Sequence, residues 1–500
     1  MPVESLKDKT VKGVGWSAID NVAGYAVTFV VGIILARLLS PEDYGLLGLI
    51  GIFTAICGCF INAGFGSALI RKKDATDDDY NTVFIFNLVM SIVLYGVMFL
   101  CAPLIANFFE RQELIALTRV SSLGMVIGSL ATVQRTQLTK RIDFKTQTKI
   151  TIIAAIVRGV VGITTAFIGW GVWALVAQEL TATTLSTILL WYFNRWTPNL
   201  HFSTKSFREL FGYGSKILAS ALIDTVWREI YQVVIAKFYA PATLGQYTRA
   251  TLFSGLFSSN ISNVIQRVSY PVLSEIQDDS PRLKDGYQRI IKTTMLITFC
   301  CMLMLASVAK PMIIVLIGEK WIQAAYFLQI VCFSSMLYPL HSINLNMLQV
   351  KGRSDLFLKL EIIKKIIAVG PLLLGIFISI YWMLIGSVFT GFIAYYLNAY
   401  YSGPLVNYSI REQIMDITPS FLIGITGALL SFIPVFIFDS SEWGITWSVS
   451  AFFILPLQLT IGTITILFLC KKTHNQEYIE LRGIILSAIH RKKNEQHHSF

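Results

Sequence analysis

Ionisable side chains inside long hydrophobic segments are the residues of this sequence that are placed to do chemistry. Asp224 and Arg228 form the strongest pair, since they lie four residues apart and therefore share one face of a helix. A charge at the depth of a membrane is costly unless it lines a cavity or has a partner. We favour cavity lining for this pair, with a structural ion pair between helices as the alternative.

A second pair, Arg158 and Glu179, lies on two consecutive hydrophobic segments and could meet across adjacent helices. Thr151 and Thr165 share the helical face of Arg158 at seven-residue spacing. A structural ion pair and a role in binding are equally compatible with this pattern.

Further polar residues at membrane depth complete the candidate set: Arg119, Arg249, Asn260, Arg267, Asp20 and His341. Arg249 and Arg267 are separated by about 27 Å along a helix, so each could reach its own membrane interface instead of a cavity. Asp20, Asp224 and His341 are the candidates for a coupling-ion or proton site. For His341, a hydrogen-bonded packing role is the favoured interpretation.

The charges inside the hydrophobic segments are mostly basic, with 11 Lys and Arg residues against few acids. A basic interior favours an anionic cargo, because guanidinium groups suit carboxylates and phosphates. The sequence has no glycine-rich phosphate-binding loop, no HExxH motif, and no metal-ligating partner for Cys57 and Cys59. We therefore expect no enzymatic activity, no cofactor and no metal.

Long apolar helices must hold these charges in place. Hydrophobic residues make up 54% of the 500-residue chain, charged residues make up 14%, and the mean hydropathy is +0.62. This composition is typical of a polytopic membrane protein, so we predict an all-α fold with about fourteen transmembrane helices. The predicted segments are 12–36, 45–69, 81–107, 113–138, 150–169, 171–193, 211–238, 243–274, 290–317, 321–350, 359–379, 381–402, 417–438 and 445–470.

Basic residues set the predicted orientation of these helices. With the N-terminus in the cytoplasm, the inner segments carry 26 of the 41 Lys and Arg residues, whereas the outer loops carry four. Cytoplasmic loops are enriched in basic residues, so both termini are predicted to be cytoplasmic. The net charge of +11 then reflects membrane orientation, and no nucleic-acid partner is expected.

The turn after the first segment recurs 200 residues later. In Arg37–Gly45 and in Lys237–Gly245, a basic residue ends an apolar helix, a Pro follows, and a Gly lies in the next helix. Six segments separate the two copies, so both halves have the same orientation and form a parallel repeat. The predicted parts of the chain are an N-terminal lobe of six helices at 1–200, a C-terminal lobe of six at 201–404, two additional helices at 405–470, and a cytoplasmic tail at 471–500.

Several of these segments resemble one family. Lys12–Trp16, Arg37–Gly45, Asn62–Arg71 and Lys140–Lys145 are similar to the corresponding stretches of Wzx-type polysaccharide transporters. These proteins are lipid-linked oligosaccharide flippases of the multidrug/oligosaccharidyl-lipid/polysaccharide exporter superfamily. The sequence most resembles the WzxC-like exporters of lipopolysaccharide or exopolysaccharide.

The resemblance implies two helical lobes related by a pseudo-two-fold axis, with alternating access through a cavity. It implies a cargo of undecaprenyl-diphosphate-linked oligosaccharide, moved from the inner to the outer leaflet of the bacterial cell (inner) membrane. It also suggests H⁺ or Na⁺ as a coupling ion, membrane lipids as surroundings, and a polysaccharide polymerase and chain-length regulator as partners. Cavity arginines are expected, and Arg158, Arg228 and Arg249 are the candidates.

We therefore predict a flippase or exporter of lipopolysaccharide, O-antigen or exopolysaccharide precursors. One alternative is a related secondary transporter of a small molecule or of another lipid-linked precursor. A second is an integral membrane glycosyltransferase, polymerase or ligase, which the lack of a long outer loop disfavours. A third is a scaffold with a non-functional cavity.

Overall fold

The computed structural model describes residues 26–199, 201–437, 447–483 and 487, without the side chains of residues 267, 268, 354 and 447–449. Asp20 and the side chain of Arg267 therefore lie outside the described residues. Helices, turns and loops make up the described residues, which contain no strand, and the predicted all-α class is confirmed.

The described helices, numbered in chain order, have the following bounds: α1 Ala26–Leu38, α2 Pro41–Asn62, α3 Phe65–Arg71, α4 Asp77–Phe108, α5 Leu114–Ser121, α6 Leu123–Ser129, α7 Thr132–Lys140, α8 Phe144–Phe167, α9 Val172–Asn194, α10 Thr204–Phe238, α11 Pro241–Glu275, α12 Ser280–Ile317, α13 Ile322–Ser335, α14 Tyr338–Val350, α15 Ser354–Phe377, α16 Ile380–Ser402, α17 Ile410–Ser431, α18 Ile433–Ile437 and α19 Trp447–Lys472.

Nine stretches of the described chain are long and apolar enough to cross a membrane, or ten if the bent pair Leu114–Ser129 and Thr132–Lys140 forms one span. The protein is therefore a multi-pass membrane protein. Helices α10 and α11 have 35 residues each but are not among the nine, because polar and charged residues interrupt their apolar runs. The total of fourteen transmembrane helices stays a prediction.

The chain forms two compact units, Met1–Gly245 and Gln246–Phe500. In the first unit α2 packs against α4, α9 and α10, and α8 forms a hairpin with α9. In the second unit α12 packs against α13, α14, α17 and α19. The predicted lobes follow the sequence repeat, whereas these units follow spatial contacts, so the predicted lobe boundaries stay a prediction.

The repeated turn begins two helices in the same way. Ser40 caps α2, accepting from the Asp43 backbone while its own backbone N–H donates to the Asp43 carboxylate, and Pro41 occupies the first turn. Pro241 begins α11 three residues after α10 ends at Phe238. In the same way, Pro41 begins α2 three residues after α1 ends at Leu38. The predicted recurrence is thus visible in the helices.

The two copies of the turn also touch each other within the first unit. A Cβ placed on Gly45 would lie 1.8 Å from the carbonyl oxygen of Pro241, and a Cβ on Gly245 would lie 1.9 Å from that of Pro41. Reciprocal contacts of this kind define a local two-fold relation. Glycine is required at both positions because each contact is made by backbone and cannot be relieved by a side-chain rotation.

Helix α4 begins at an acidic cluster. Thr76 and Asp79 form a capping box, so the acids at 77–79 stabilise the helix start. The segment before α10 is tied to the same region, because the backbone N–H of Asn199 donates to Asn81 Oδ1 and that of Ser203 donates to Thr82 Oγ1.

Helices α8 and α9 are joined by a short turn that sets the level of the predicted Arg158–Glu179 pair. Gly169 and Gly171 have φ angles of +89° and +53°, a backbone region that favours glycine. Arg158 lies about 14 Å before the end of α8, and Glu179 lies about 10 Å after the start of α9. The turn therefore brings the two charges to similar depths on adjacent helices.

Buried polar contacts join the helices of the second unit. Ser262 Oγ lies 2.8 Å from Ser342 Oγ, and Ser431 Oγ lies 2.8 Å from Ser307 Oγ. Hydroxyl pairs of this kind hold helices together where the surroundings are apolar.

Candidate functional site

A cavity of about 610 Å³ opens in the first unit, between α2, α3, α6, α7 and α9. We call it the hydroxyl cavity, because side-chain hydroxyl groups form most of its polar lining. Its polar side chains are those of Asn62, Ser67, Thr132, Arg135, Thr136, Thr139, Glu179, Thr183, Ser186 and Thr187.

A smaller cavity of about 300 Å³ lies beside it, and we call this one the arginine cavity. Its polar side chains are those of Thr28, Arg135, Gln147, Thr151, Arg158 and Ser186. Arg135, Ala182 and Ser186 line both cavities, so the two cavities share a wall.

Helical periodicity explains how the chain builds this wall. On α9 the lining positions 179, 182, 183, 186 and 187 recur three or four residues apart, and on α7 the positions 132, 135, 136 and 139 do the same. Residues at these spacings lie on one face of a helix. Each helix thus turns a polar stripe towards the cavities.

Arg158 and Glu179 form an ion pair at the boundary between the cavities. Arg158 Nη2 lies 2.9 Å from Glu179 Oε2, and the two side chains are 32% and 58% exposed. The predicted contact across adjacent helices is confirmed. The role of this pair in binding stays a prediction.

Arg135 is the functional candidate that the sequence analysis did not single out. It is exposed to both cavities and has no ion pair with any described residue. The signal that could have revealed it is the run from Thr132 to Thr139, where Thr, Gln and Arg interrupt a segment predicted to span the membrane. The charged side chains among the described lining residues are Arg135, Arg158 and Glu179, which together carry a net positive charge.

The threonines of the hydroxyl cavity keep acceptor capacity for a ligand. Thr136 Oγ1 donates to the carbonyl oxygen of Thr132 at 2.8 Å, and Thr187 Oγ1 donates to that of Ile127 at 3.2 Å. A hydroxyl that donates its hydrogen to backbone still has oxygen lone pairs. The wall can therefore accept hydrogen bonds from the hydroxyl groups of a sugar.

Asp224 and Arg228 lie on α10, away from the lining of both cavities. Arg228 is 68% exposed; its Nε lies 3.3 Å from Glu229 Oε1, and its Nη2 lies 3.3 Å from Thr225 Oγ1. Among described residues, the carboxylate that pairs with Arg228 is therefore Glu229. Cavity lining by Asp224 and Arg228 stays a prediction.

The remaining candidates are dispersed over several helices. Arg119 Nε donates to the Phe99 carbonyl at 3.4 Å, and its guanidinium lies 4.2 Å from the Phe99 ring centre. On α11, Asn260 Nδ2 donates to the carbonyl oxygen of Leu256 at 2.8 Å. Each of these side chains has a local structural partner.

In the second unit, the Arg249 guanidinium lies 5.9 Å from the ring centre of Trp321. His341 Nδ1 lies 3.2 Å from Asn398 Nδ2, which fits the hydrogen-bonded packing role favoured from the sequence. Across the described residues, no three His, Cys, Asp or Glu side chains come together as a metal site.

The fold of the chain matches that of a solved membrane protein. The structure of the lipid II flippase MurJ in an inward closed conformation has a TM-score of 0.69 to this chain, at 15% sequence identity. The match covers 92% of this chain and 99% of the flippase chain. The class defined by fold is thus that of polytopic α-helical membrane proteins with the architecture of this flippase.

The sequence comparisons identify the family. The family model described as "Polysaccharide biosynthesis protein" matches residues 34–326, which is more than half of the chain. The chain belongs to this family, and the resemblance found in its sequence is confirmed.

Two named relatives are similar over most of the chain. The lipopolysaccharide biosynthesis protein WzxC of Escherichia coli (strain K12) is 23% identical over 86% of this chain and 88% of its own length. The teichuronic acid biosynthesis protein TuaB of Bacillus subtilis (strain 168) is 24% identical over 70% of this chain and 73% of its own length.

Proposed function

We propose that this protein is a flippase that moves undecaprenyl-diphosphate-linked oligosaccharide from the inner to the outer leaflet of the bacterial inner membrane. The single observation that carries this proposal is the pair of polar cavities in the first unit of a membrane protein of this family and fold. In this function the protein binds and moves its cargo without making or breaking a covalent bond in it.

The chemistry of the two cavities fits a sugar cargo. Hydroxyl and amide side chains line the hydroxyl cavity and can exchange hydrogen bonds with the hydroxyl groups of a sugar. Its volume of about 610 Å³ is that of a small-molecule site, so it would hold part of an oligosaccharide. The lipid tail would remain in the bilayer while the sugar crosses through the protein.

The charges favour an anionic cargo over a cationic one. Among the described lining residues, Arg135 and Arg158 are offset by one carboxylate, that of Glu179. Oligosaccharides linked through a diphosphate, or containing acidic sugars, carry the complementary charge. The names of the relatives WzxC and TuaB, which refer to lipopolysaccharide and teichuronic acid biosynthesis, support the same class of cargo.

The membrane orientation in this proposal places both termini in the cytoplasm. Alternating access would expose the cavities first to the inner and then to the outer side, driven by H⁺, Na⁺, the membrane potential or consumption of the product. Asp224, Arg228, Arg249 and His341 remain proposed contributors to cargo binding or ion coupling. A polysaccharide polymerase and a chain-length regulator are proposed partners.

Export from a flippase-deficient bacterial strain tests the proposal. We expect the wild-type protein to restore surface polysaccharide. Arg135→Gln should reduce export about tenfold while lipid-linked units accumulate in the inner leaflet, because the variant loses a cavity cation that has no ion pair with a described residue. The measurement is surface polysaccharide together with lipid-linked units scored by leaflet. Arg119→Gln is the matched control, since that guanidinium rests on Phe99 and does not line either cavity.

Two results would count against the proposal. If Arg135→Gln exports normally at matched membrane levels, the two cavities are not part of the transport path. Failure of the wild-type protein in strains that make acidic and neutral lipid-linked units would favour the alternative, a related transporter of a small molecule.

A further inference from the structure

The arginine cavity contains two guanidinium groups that differ in their partners. Arg158 is held by Glu179 at 2.9 Å, whereas Arg135 forms no ion pair with any described residue. Two like charges in a cavity of about 300 Å³ repel each other, and the carboxylate of Glu179 offsets part of that repulsion. One of the two guanidinium groups of the arginine cavity is therefore already paired with a carboxylate, which comes from the neighbouring hydroxyl cavity.

We propose that the arginine cavity is a subsite for the carboxylate of an acidic sugar. In this proposal Glu179 is paired with Arg158 until the sugar carboxylate replaces it. This inference rests on the proposed function, which supplies an oligosaccharide as cargo. It adds the class of sugar and assigns Glu179 a role in specificity.

The position of Glu179 allows this exchange. Arg158 lines the arginine cavity, and Glu179 lines the hydroxyl cavity on the other side of the shared wall. The ion pair therefore crosses the boundary, with the carboxylate more exposed than the guanidinium. Rotation of the Glu179 side chain into the hydroxyl cavity frees Arg158 without moving a helix.

The exchange conserves charge at Arg158, because one carboxylate takes the place of another. An ion pair as exposed as this one is weak, so a competing carboxylate can displace Glu179. The incoming carboxylate also reaches Arg135, which faces the same cavity and forms no ion pair within the described part of the chain. The cargo carboxylate thus contacts both Arg135 and Arg158, whereas the carboxylate of Glu179 pairs with Arg158 alone among the described residues.

Selectivity follows from this competition. A neutral sugar cannot displace Glu179, so it meets a cavity in which Arg158 remains occupied. Glu179 also returns to Arg158 when the cargo leaves, which limits the affinity for the acidic sugar and assists its release.

Binding to the purified full-length protein tests the inference. The probes are methyl glucuronide, methyl glucoside and inorganic pyrophosphate, measured by titration with wild type, Glu179→Gln, Arg158→Gln and the control Arg119→Gln. We expect the wild-type protein to prefer the glucuronide. Glu179→Gln should bind the glucuronide about two- to fivefold more tightly, because the competing carboxylate is gone. Arg158→Gln should lose the preference for the glucuronide over the glucoside, whereas Arg119→Gln should behave as wild type.

The opposite signs of the two variants separate this role from a structural one. If the ion pair only held α8 against α9, both variants would lower thermal stability and would change glucuronide affinity in the same direction. That result, or equal affinity of the wild type for glucuronide and glucoside, would overturn the inference. Arg158-dependent binding of pyrophosphate without binding of the glucuronide would overturn it as well, since the ligand would then be a diphosphate.

The leaflet assay keeps this inference distinct from the proposed function. If the wild-type protein restores export but does not prefer the glucuronide over the glucoside, the flippase function is supported and the acidic-sugar subsite is not. If glucuronide affinity changes in opposite directions in Glu179→Gln and Arg158→Gln but the wild-type protein restores export in no strain, the subsite is supported and the flippase function is not.

Discussion

Lys72 joins three parts of the first unit through one ammonium group. Its Nζ lies 3.0 Å from Asp79 Oδ2 at the start of α4 and 3.0 Å from Glu209 Oε2 near the start of α10. Burial alone would lower the pKa of Lys72, but the hydrogen bonds and charges of Asp79 and Glu209 raise this pKa above the ordinary value of 10.5. This residue therefore ties the start of α10 to the start of α4 and to the turn that precedes it.

We expect Lys72→Gln to lower the free energy of unfolding by about 1 kcal/mol at neutral pH, because a partly exposed charge network contributes roughly that much. A pKa that is raised by folding stabilises the protein fully below the unfolded value and stops doing so as the pH rises through the folded value. The difference between wild type and Lys72→Gln should therefore persist from neutral pH up to pH 10.5 and shrink above it. Thermal unfolding over a pH series measures this difference.

Lys73→Gln is the matched control for this experiment. Lys73 is the next residue, it is exposed, and it has no ion pair with a described residue. If Lys73→Gln lowers the free energy of unfolding as much as Lys72→Gln does, the ion pairs of Lys72 do not stabilise the protein. The same conclusion follows if the difference between wild type and Lys72→Gln grows as the pH rises above 10.5.

At the scale of elements, the repeated turn is more than a sequence pattern. The start of α2 packs on the start of α11 through Gly45, and the start of α11 packs on the start of α2 through Gly245. Both contacts are made to the carbonyl group of the repeat-related proline, so a methyl group at either glycine forces the backbones apart. The close approach of the two helix starts therefore requires glycine, which has no side chain, at both positions.

We expect Gly45→Ala and Gly245→Ala each to lower the free energy of unfolding by about 3 kcal/mol, at the upper end of the range for overpacking. The double variant should cost less than the sum of the two, because separating the helices once relieves both contacts. Thermal unfolding of the purified single and double variants measures these effects.

Gly51→Ala provides a control in the same helix, since a Cβ at Gly51 would meet nothing within 4 Å. Alanine at an uncrowded helical position stabilises by up to about 1 kcal/mol relative to glycine. If Gly45→Ala and Gly51→Ala shift stability in the same direction, the close approach at Gly45 is not a constraint on this protein.

The sequence predicted the elements better than the contents of the site. The periodicity of apolar residues predicts the helices, and N-cap residues such as Ser40 and Thr76, with Pro41 in the first turn, mark where helices begin. The Arg158–Glu179 contact was also predictable, because a short turn sets the depth of both residues. Arg135 was not singled out, since its role depends on a bend of 41° between Leu114–Ser129 and α7, the helix that contains Arg135. Sequence periodicity does not show this bend, which places the polar stripe of α7 in a cavity wall.

Pairing along α10 could not be read from spacing alone. Asp224 and Glu229 are both close to Arg228 along the helix, and the guanidinium lies at Glu229, with a hydrogen bond to Thr225. Spacing thus predicts which residues share a face but not which of two carboxylates an arginine chooses.

At the scale of the whole molecule, α4 provides the simplest test of orientation. This helix has 32 residues and is about 48 Å long, which exceeds the roughly 30 Å of a bilayer core. Asp74 precedes it and Gln112 follows it, and both are exposed in turns. The two positions must therefore lie on opposite sides of the membrane, whichever way the protein is inserted.

The distribution of Lys and Arg decides which side each position occupies. The segments grouped with Asp74 carry 26 basic residues and the loops grouped with Gln112 carry four, so Asp74 should face the cytoplasm. In a protein whose seven native cysteines have been replaced, a membrane-impermeant maleimide applied to intact cells should label Gln112→Cys and not Asp74→Cys. Both should be labelled after permeabilisation, which controls for expression and reactivity. The reverse pattern would place the Lys72 network on the outer side and would contradict the cytoplasmic position of both termini in the proposed function.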